Sequence, residues 1–323
     1  MVGLIQKLFR SHRLLKLDDF EMWVDPRAKG LDQGLIRRAE KLAKHIDPGP
    51  EREPEFHWMI REELSELCRS WPDPKKQLVV FNLGANIGIS TLKMNHILKN
   101  HLASGNYFIW AIEPDPNNFA ILAKNLEHNQ AQARAISCAI SDRNGQAAFN
   151  ISSHGNLSGL ARGKSAETAK HRVKTFTLGD FAKLYETGRP HFLKIDVEGA
   201  EVEVLRGGRE FLADCPKPCK FIMEVHPATY DAEHNLETEI RFLFEHGWAP
   251  KYMASAAVLC PDKFKAAGLK PFKEFPGERY SRAIYKDFSP EHLLEFACHQ
   301  HFQEVPGKKT SSKIVRSILL EKT

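Results

Sequence analysis

The sequence predicts an α/β fold, a three-layer sandwich in which helices cover both faces of a mostly parallel sheet. Between residues 78 and 253, short apolar runs alternate with amphipathic segments of helical spacing. Such regular alternation gives parallel strands joined by right-handed crossovers. The composition, 42% hydrophobic and 27% charged over 323 residues, suits a globular chain whose core can fold without disulfides or a structural metal.

The chain divides into three predicted regions. Residues 1–77 carry helical patterns broken by proline clusters, and we interpret them as a helical N-terminal extension. Residues 78–287 form the α/β domain. Residues 288–323 form a C-terminal helix and a basic tail, which we expect to be frayed. Residues 282–286 are predicted to add one antiparallel strand near the C-terminal end of the sheet.

The order of elements follows from the apolar patterns. The predicted strands of the main sheet span residues 78–83, 107–112, 134–140, 191–195, 220–225 and 248–253. Helices are expected to begin near Ile87, Pro116, Leu178, Ala200 and Glu233, and after the capping residue Ser289. Two short extra strands, residues 147–152 and 172–176, are expected to decorate the connection after the third strand.

The first candidate site is the turn that follows the first strand, residues 84–88 (GANIG). Gly84 lets a ligand approach the backbone, and Gly88 lets the next helix start close to the sheet. The open amide groups of the turn, including that of Asn86, can bind a polar ligand tail. The GxxxG spacing differs from the GxGxxG of dinucleotide-binding enzymes.

Two further sites close the second and third strands. Glu113, followed by Pro114 and a helix, can accept both hydroxyls of an adenosine ribose. The alternative is a surface carboxylate before a turn. Ser141 and Asp142 close the third strand, where an adenine ring would end. Their alternative role is to form the turn into Asn144.

The richest pattern follows the fourth and fifth strands, in residues 194–201 (KIDVEGAE) and 224–226 (EVH). Lys194 and Asp196 share one face of a strand, as do Glu224 and His226. Ligands of open α/β sheets bind outside these strand ends, so we expect these four side chains to be catalytic. Glu201 is explained by the helix dipole alone. For His226, the alternative to a general base is a structural histidine.

Together these blocks resemble the FkbM family of class I methyltransferases. NLGANIG is similar to its first motif, AIEPDPNNFAILAKNLEHN to its second, AISDRNGQAAF to its third, and FLKIDVEGAEVEVLRGG to its signature. The resemblance covers roughly residues 24–253. It implies a Rossmann-like fold, S-adenosylmethionine as cofactor, and O-methylation, often of a sugar hydroxyl in a glycan, glycolipid or natural product.

The first motif departs from the family at one position. The family's motif usually begins with aspartate, and this chain has Asn82. The resemblance implies that this residue orients the amino-acid part of the cofactor. Asparagine keeps the acceptor oxygen but lacks the charge, so we expect weaker cofactor binding rather than an inactive protein.

Methyl transfer to a sugar hydroxyl requires a base or a metal ion that helps to remove the hydroxyl proton. Asp196, Glu224 and His226 are the candidates, either as base and orienter or as ligands of a divalent cation. The sequence leaves this choice open. One alternative function is a non-catalytic S-adenosylmethionine-binding or scaffold protein, which Asn82 would suit. Another is a nicotinamide-dependent oxidoreductase, which the glycine spacing opposes. A nucleic-acid methyltransferase lacks support, because the chain has no Asn/Asp-Pro-Pro-aromatic tetrad.

The charge and the cysteine content limit the classes of partner and the cell compartment that we predict. The net charge is +5, without a basic block interleaved with aromatic residues, so we predict a small-molecule or glycan acceptor and no nucleic acid. No apolar run reaches the length of a membrane span. The amphipathic N-terminus, residues 1–17, can form a peripheral membrane contact or pack on the protein. Six scattered cysteines predict reduced thiols and a cytoplasmic location. Residues 154–159, rich in Gly, Ser and Asn, are a candidate acceptor-binding lid.

Overall fold

The structure is a computed structural model that describes residues 12–71, 76–152, 158–161, 164–256, 260–276, 281–305 and 308–322. Its strands are β1 (Arg13–Lys16), β2 (Glu21–Val24), β3 (Leu78–Leu83), β4 (Tyr107–Ile112), β5 (Ala133–Ile136), β6 (Ala139–Ile140), β7 (Gly145–Asn150), β8 (Gly159–Leu160), β9 (His171–Phe176), β10 (Phe192–Ile195), β11 (Cys219–Glu224), β12 (Ala249–Ser255), β13 (Lys273–Phe275), β14 (Arg282–Tyr285), β15 (His301–Val305), β16 (Lys308–Ser312) and β17 (Val315–Lys322). Its helices are α1 (Leu31–Ala43), α2 (Pro54–Arg69), α3 (Ile89–His101), α4 (Pro116–His128), α5 (Lys164–Thr168), α6 (Leu178–Tyr185), α7 (Glu201–Ala213), α8 (Glu237–Glu245), α9 (Cys260–Ala266) and α10 (Pro290–Ala297).

Nine strands form the central sheet, in the order β13-β14-β12-β17-β11-β10-β3-β4-β5. The five strands from β11 to β5 pair in parallel, as predicted. The four pairings from β11 to β13 are antiparallel, because β17 and β14 both run against their neighbours. The sheet is therefore mixed, and the prediction of a mostly parallel sheet with one antiparallel strand is correct only for its parallel half.

The C-terminal end of the chain is the main departure from the prediction. β17 lies inside the sheet, between β11 and β12, and its residues Ile318, Leu319 and Leu320 are fully buried. We expected a frayed basic tail because of the lysines and arginines, but the apolar run between them forms a strand in the core. The sheet therefore extends beyond the predicted domain boundary at residue 287.

Helices cover both faces of the sheet, as predicted. On β3, Val79, Phe81 and Leu83 face a core that includes α6, α7 and α8. The alternate residues Leu78 and Val80 pack against α2 and α3 on the other face. Because side chains alternate along a strand, one apolar run supplies both layers.

The N-terminal region is only partly helical, because the hairpin β1–β2 precedes α1 and α2. The hairpin packs on α4, where Trp23 N donates to Oδ1 of Asn125 at 2.6 Å. Nδ2 of Asn125 donates to the carbonyl oxygens of Trp23 (3.0 Å) and Ile87 (2.7 Å). Asn125 thus joins the hairpin to the turn after β3. Residues 1–11, which hold most of the predicted amphipathic segment, lie outside the described residues.

A second, smaller sheet decorates the connection after β5, in the order β6-β9-β7-β8. Its strands β7 and β9 are the two extra strands that the sequence predicts, and they pair antiparallel. The predicted strand at residues 134–140 is divided between β5 in the main sheet and β6 in the small one. In the described part of the chain, no helix combines the length and hydropathy needed to span a bilayer.

Candidate active site

A cavity of about 670 Å³ opens at the carboxyl ends of the parallel strands. Its walls come from the turn after β3, the ends of β4, β10 and β11, the N-terminal region and β17. The predicted site residues that line it are Gly84, Asn86, Glu113, Pro114, Lys194, Asp196, Glu224 and His226. The structure therefore brings together eight of the twelve side chains or turn positions selected from the sequence.

The turn after β3 needs glycine because the neighbouring strand end passes very close. Gly84 has φ of 73°, and a Cβ there would lie 1.8 Å from the backbone oxygen of Asp196. Gly88 has φ of 103°, and a Cβ there would lie 2.9 Å from Leu122 on α4. Gly84 lines the cavity, whereas Gly88 allows α3 and α4 to pack together and does not line it.

Glu113 is a buried carboxylate at the end of β4. Its Oε2 accepts a hydrogen bond from Asn86 N at 2.7 Å, and its Oε1 accepts one from Asp115 N at 2.9 Å. Burial raises the pKa of Glu113 to about 7. Each oxygen keeps a second lone pair, so the carboxylate can also accept from two neighbouring hydroxyls. These two acceptor oxygens suit a pair of ribose hydroxyls, and the ribose role of Glu113 stays a prediction.

Besides Gly88, three further predicted cofactor residues lie outside the cavity lining. Asn82 is fully buried, and its Nδ2 donates to Oγ1 of Thr91 on α3 at 2.7 Å. Ser141 and Asp142 pack towards α7, where a Cβ at Gly207 would lie 2.3 Å from Ser141 O. The residues just before them, 139–140, line the cavity instead.

Of the candidate lid, residues 154–157 lie outside the described residues. Ser158 and Gly159 line the cavity, and Oγ of Ser158 donates to Oδ2 of Asp115 at 2.8 Å.

Lys194 holds the two sides of the cavity floor together. Its side chain is almost fully buried, and Nζ donates to Gly84 O at 2.7 Å and pairs with Oδ2 of Asp196 at 3.1 Å. A buried lysine with both contacts fixes the Asp196 carboxylate relative to the glycine turn. This geometry indicates a positioning role for Lys194.

His226 is held by a carboxylate that the sequence did not single out. Its Nδ1 lies 2.8 Å from Oε1 of Glu201, which is fully buried and also accepts from Gly199 N and the Tyr230 hydroxyl. Burial opposes protonation of His226, but the Glu201 carboxylate outweighs burial and raises the pKa of His226 to about 9. Nε2 faces Glu198 at 3.5 Å and Glu224 at 3.6 Å.

The carboxylates around Nε2 have different partners. Asp196, Glu198 and His226 each offer one ligand atom, and these three atoms lie within 4.8 Å of one another. Burial, reinforced by the nearby carboxylates, raises the pKa of Glu198 to about 8. Glu224 is instead held by cations, since its Oε1 lies 2.9 Å from Lys313 and 3.2 Å from Arg316. The donor set that suits a cation thus contains Glu198 where the sequence prediction had Glu224.

The sequence of this site matches a known domain. Residues 82–248 match the methyltransferase FkbM domain, which accounts for the glycine turn, Glu113 and the acid-histidine cluster. The chain belongs to the FkbM methyltransferase family. It is an S-adenosylmethionine-dependent methyltransferase, as the sequence predicts, and the family assignment favours methyl transfer over nicotinamide chemistry.

Two known methyltransferases are similar to this FkbM protein in sequence. "Methyltransferase 1" of Beauveria bassiana is 28% identical over 193 residues, which cover 53% of this chain and 74% of that protein. "Hexuronic acid methyltransferase AglP" of Haloferax volcanii is 25% identical over 153 residues, which cover 46% of this chain and 59% of that protein. The chain therefore spans less than two thirds of the second relative.

Solved structures of other methyltransferases are more distant. A precorrin-6y C5,15-methyltransferase from Geobacter metallireducens aligns with a TM-score of 0.35 and 13% identity, covering 80% of this chain and 89% of that one. Fibrillarin from Aeropyrum pernix, with natively bound S-adenosyl-L-methionine, aligns with a TM-score of 0.31 and 12% identity, covering 71% of this chain and 76% of that one.

The FkbM match leaves several site residues unexplained, because they lie outside residues 82–248. Arg316 on β17 contacts Oε1 of Glu53 through Nη2 at 2.6 Å as well as Glu224. Lys313 precedes the same strand. The sequence places both cations in the basic tail that we expect to be frayed, and the neighbouring apolar run is the one signal of a buried strand that carries them to the site.

Proposed function

We propose that this methyltransferase methylates a hydroxyl group of a sugar or glycan-bearing acceptor. The observation that supports this most strongly is the Glu201–His226 pair, whose Nδ1–Oε1 contact of 2.8 Å leaves Nε2 directed into the cavity. A hydroxyl is a weak acid, so its methylation calls for such a base. The Haloferax relative, which is named a hexuronic acid methyltransferase, supports a sugar as the acceptor class.

The residues on the cavity floor fit the cofactor. Glu113 would hold the ribose hydroxyls, the turn at Gly84 and Asn86 would lie against the rest of the nucleoside, and residues 139–140 would contact the base. When bound, S-adenosylmethionine supplies a methyl group that its sulfonium already activates. The protein must then hold the acceptor oxygen in line and remove its proton.

His226 can take that proton. With Nδ1–H donating to Glu201, the neutral ring presents the lone pair of Nε2 to the cavity. Because Glu201 raises the pKa of His226 to about 9, the neutral form is the minor one at pH 7, and kcat should rise as the pH increases towards 9. The acceptor hydroxyl would give its proton to Nε2 as its oxygen takes the methyl group, the S–CH₃ bond breaks, and neutral S-adenosylhomocysteine is left. Glu201 stabilises the imidazolium that forms, and Lys194 keeps Asp196 oriented towards the acceptor.

A divalent cation is the second candidate for this step. Asp196, Glu198 and His226 combine carboxylate and imidazole ligands, a set that divalent metals accept. Glu201 would orient the ring from outside the coordination sphere. A bound cation supplies Lewis acidity that makes the acceptor hydroxyl easier to deprotonate. Glu224 takes no part in this set, since Lys313 and Arg316 hold it.

The experiment uses methyl-tritiated cofactor with two matched oligosaccharides, one containing a uronic acid and one neutral. The proposal predicts label in a sugar methyl ether, which resists mild alkali, and its loss in His226→Gln with retained binding of S-adenosylhomocysteine. Label released by mild alkali as methanol would show that a carboxylate is the acceptor. That outcome would contradict the proposal, because a carboxylate needs no base.

A further inference from the structure

The amino-acid part of the cofactor carries an ammonium and a carboxylate group, and Asn82 cannot bind either of them in this structure. The Asn82 side chain is fully buried, donates to Thr91 and does not line the cavity. In the glycine turn, Asn86 N is taken by Glu113. The site of the amino-acid part must therefore be sought elsewhere on the cavity wall.

Glu51, His57 and Lys93 form a compact polar cluster on that wall. Nζ of Lys93 lies 2.6 Å from Oε2 of Glu51 and 2.8 Å from Nδ1 of His57. Nδ1 of His57 lies 2.7 Å from the same Glu51 oxygen. All three residues line the cavity. Lys93 lies three residues after Ser90, which also lines it, so the cluster shares the wall formed by the first turns of α3.

The three contacts cannot all be hydrogen bonds at once. Burial lowers the pKa of His57, so its ring is neutral at pH 7. A neutral Nδ1 either donates to Glu51 or accepts from Lys93, and one of these two contacts is then unfavourable. A ligand that binds Lys93 or Glu51 in place of His57 would remove the unfavourable contact. The three side chains therefore do not fully satisfy one another's hydrogen-bonding groups.

The cluster also has the spare groups that such a ligand needs. An ammonium group has three N–H donors, and two contacts leave one of them on Lys93 free for an anion. Among the residues that the structure describes, only Oε2 of Glu51 has contacts, so Oε1 can accept from a cation. A spare donor on Lys93 beside a spare acceptor on Glu51 complements a group that carries both an ammonium and a carboxylate.

We propose that Lys93 binds the α-carboxylate, and Glu51 the α-ammonium, of the amino-acid part of the cofactor, while His57 packs between them and positions both side chains. The inference rests on the S-adenosylmethionine dependence of the transfer, and adds a cofactor subsite built partly from residues outside the FkbM match. An acceptor that bears a carboxylate could use the same cation, and the test separates these two sources.

The test compares two nucleosides by calorimetry on the full chain. S-adenosylhomocysteine has the amino-acid group, and 5′-methylthioadenosine lacks it. We expect Lys93→Met to weaken binding of S-adenosylhomocysteine by about tenfold to a hundredfold, the range for a hydrogen bond to a charged group. Binding of methylthioadenosine should change less than about twofold. Glu51→Gln should show the same selective loss.

Lys99→Met is the matched control, since Lys99 is exposed in the last turn of the same helix and does not line the cavity. Both affinities should stay unchanged in it. If Lys93→Met does not fold, Glu51→Gln alone decides. Normal binding of S-adenosylhomocysteine by Glu51→Gln and by any folded Lys93→Met, or an equal loss of both nucleosides, overturns the inference. A wild-type chain that binds neither nucleoside instead contradicts the cofactor assignment itself.

Discussion

Replacing Glu201 by glutamine removes the charge that stabilises protonated His226 while leaving the shape of the side chain. Oε1 of Glu201 lies 2.8 Å from Nδ1, so the two charge centres are about 4 Å apart. At an effective dielectric constant of about 20, such a pair interacts by about 4 kcal/mol. Above pH 9 the His226 ring is already neutral in wild type, so if all of this energy is present in the transition state, kcat measured there falls by about 10³-fold.

The assay measures initial rates together with binding of S-adenosylhomocysteine. Glu201 does not line the cavity, so we expect kcat to fall while cofactor affinity stays within about twofold. Glu203→Gln is the matched control. Glu203 lies on the same helix and contacts Nε2 of His234 at 3.0 Å, but this pair does not line the cavity. Its kcat should be unchanged.

One result would refute the reasoning. If folded Glu201→Gln, checked by its thermal transition, keeps a kcat within about threefold of wild type, the charge of Glu201 contributes under about 1 kcal/mol. Proton removal would then not depend on a Glu201–His226 pair. An equal loss of rate in Glu203→Gln would point to a general effect on α7.

Three further predictions concern stability and the cation. Burial raises the pKa of Asp32 from 3.8 to about 6, so the folded state prefers the protonated acid. Wild type should therefore lose up to about 3 kcal/mol of unfolding free energy as the pH rises from about 4 to about 6. Asp32→Asn should lack this loss in urea titrations at pH 4.5 and 8, and parallel pH profiles would argue against it. Gly84→Ala would place a Cβ 1.8 Å from Asp196 O, so we expect a destabilisation of about 3 kcal/mol or more. Gly34→Ala, with nothing within 4 Å of its Cβ, should be neutral or stabilising in the same melts, and equal melting of the two variants would rule out the close approach. Under the general-base mechanism, dialysis against EDTA should leave kcat within about twofold. A loss that Mg²⁺ restores would instead assign Asp196, Glu198 and His226 as metal ligands.

The sequence predicted correctly those elements that depend on neighbouring residues in the chain. Strand β3 and its turn follow from a continuous apolar run and two glycines, and both appear as expected. The cap of α10 also follows from its sequence, since His292 N donates to Oγ of Ser289. In contrast, β17 pairs with β11, about a hundred residues earlier. No local pattern specifies such a partner. The charged residues on either side of the apolar run therefore favoured the prediction of a frayed tail over a strand.

The residues of the candidate site also divide into those that the sequence pattern indicates and those whose role depends on a contact distant in sequence. Asp196, Glu224 and His226 were found because strand ends in an α/β sheet meet at one edge. Glu201 was missed because its position at the start of α7 already has a sufficient local explanation in the helix dipole. Its contact with His226 depends on how the turn after β10 bends. That bend includes Glu198 at φ of 50° and Gly199 at φ of 101°, which the sequence alone did not predict.

One wall of the cavity depends on a connection between three distant parts of the chain. Arg316 on β17 contacts Glu53, just before α2, and Glu224, at the end of β11. A largely buried guanidinium requires fixed anionic partners, since an unpaired charge there is costly. The position of the N-terminal region beside the site and the insertion of β17 into the sheet therefore stabilise each other. The FkbM-matched residues 82–248 supply the turn and the acid-histidine cluster, but neither Glu53 nor Arg316. We infer that the choice of acceptor is made largely by these flanking segments.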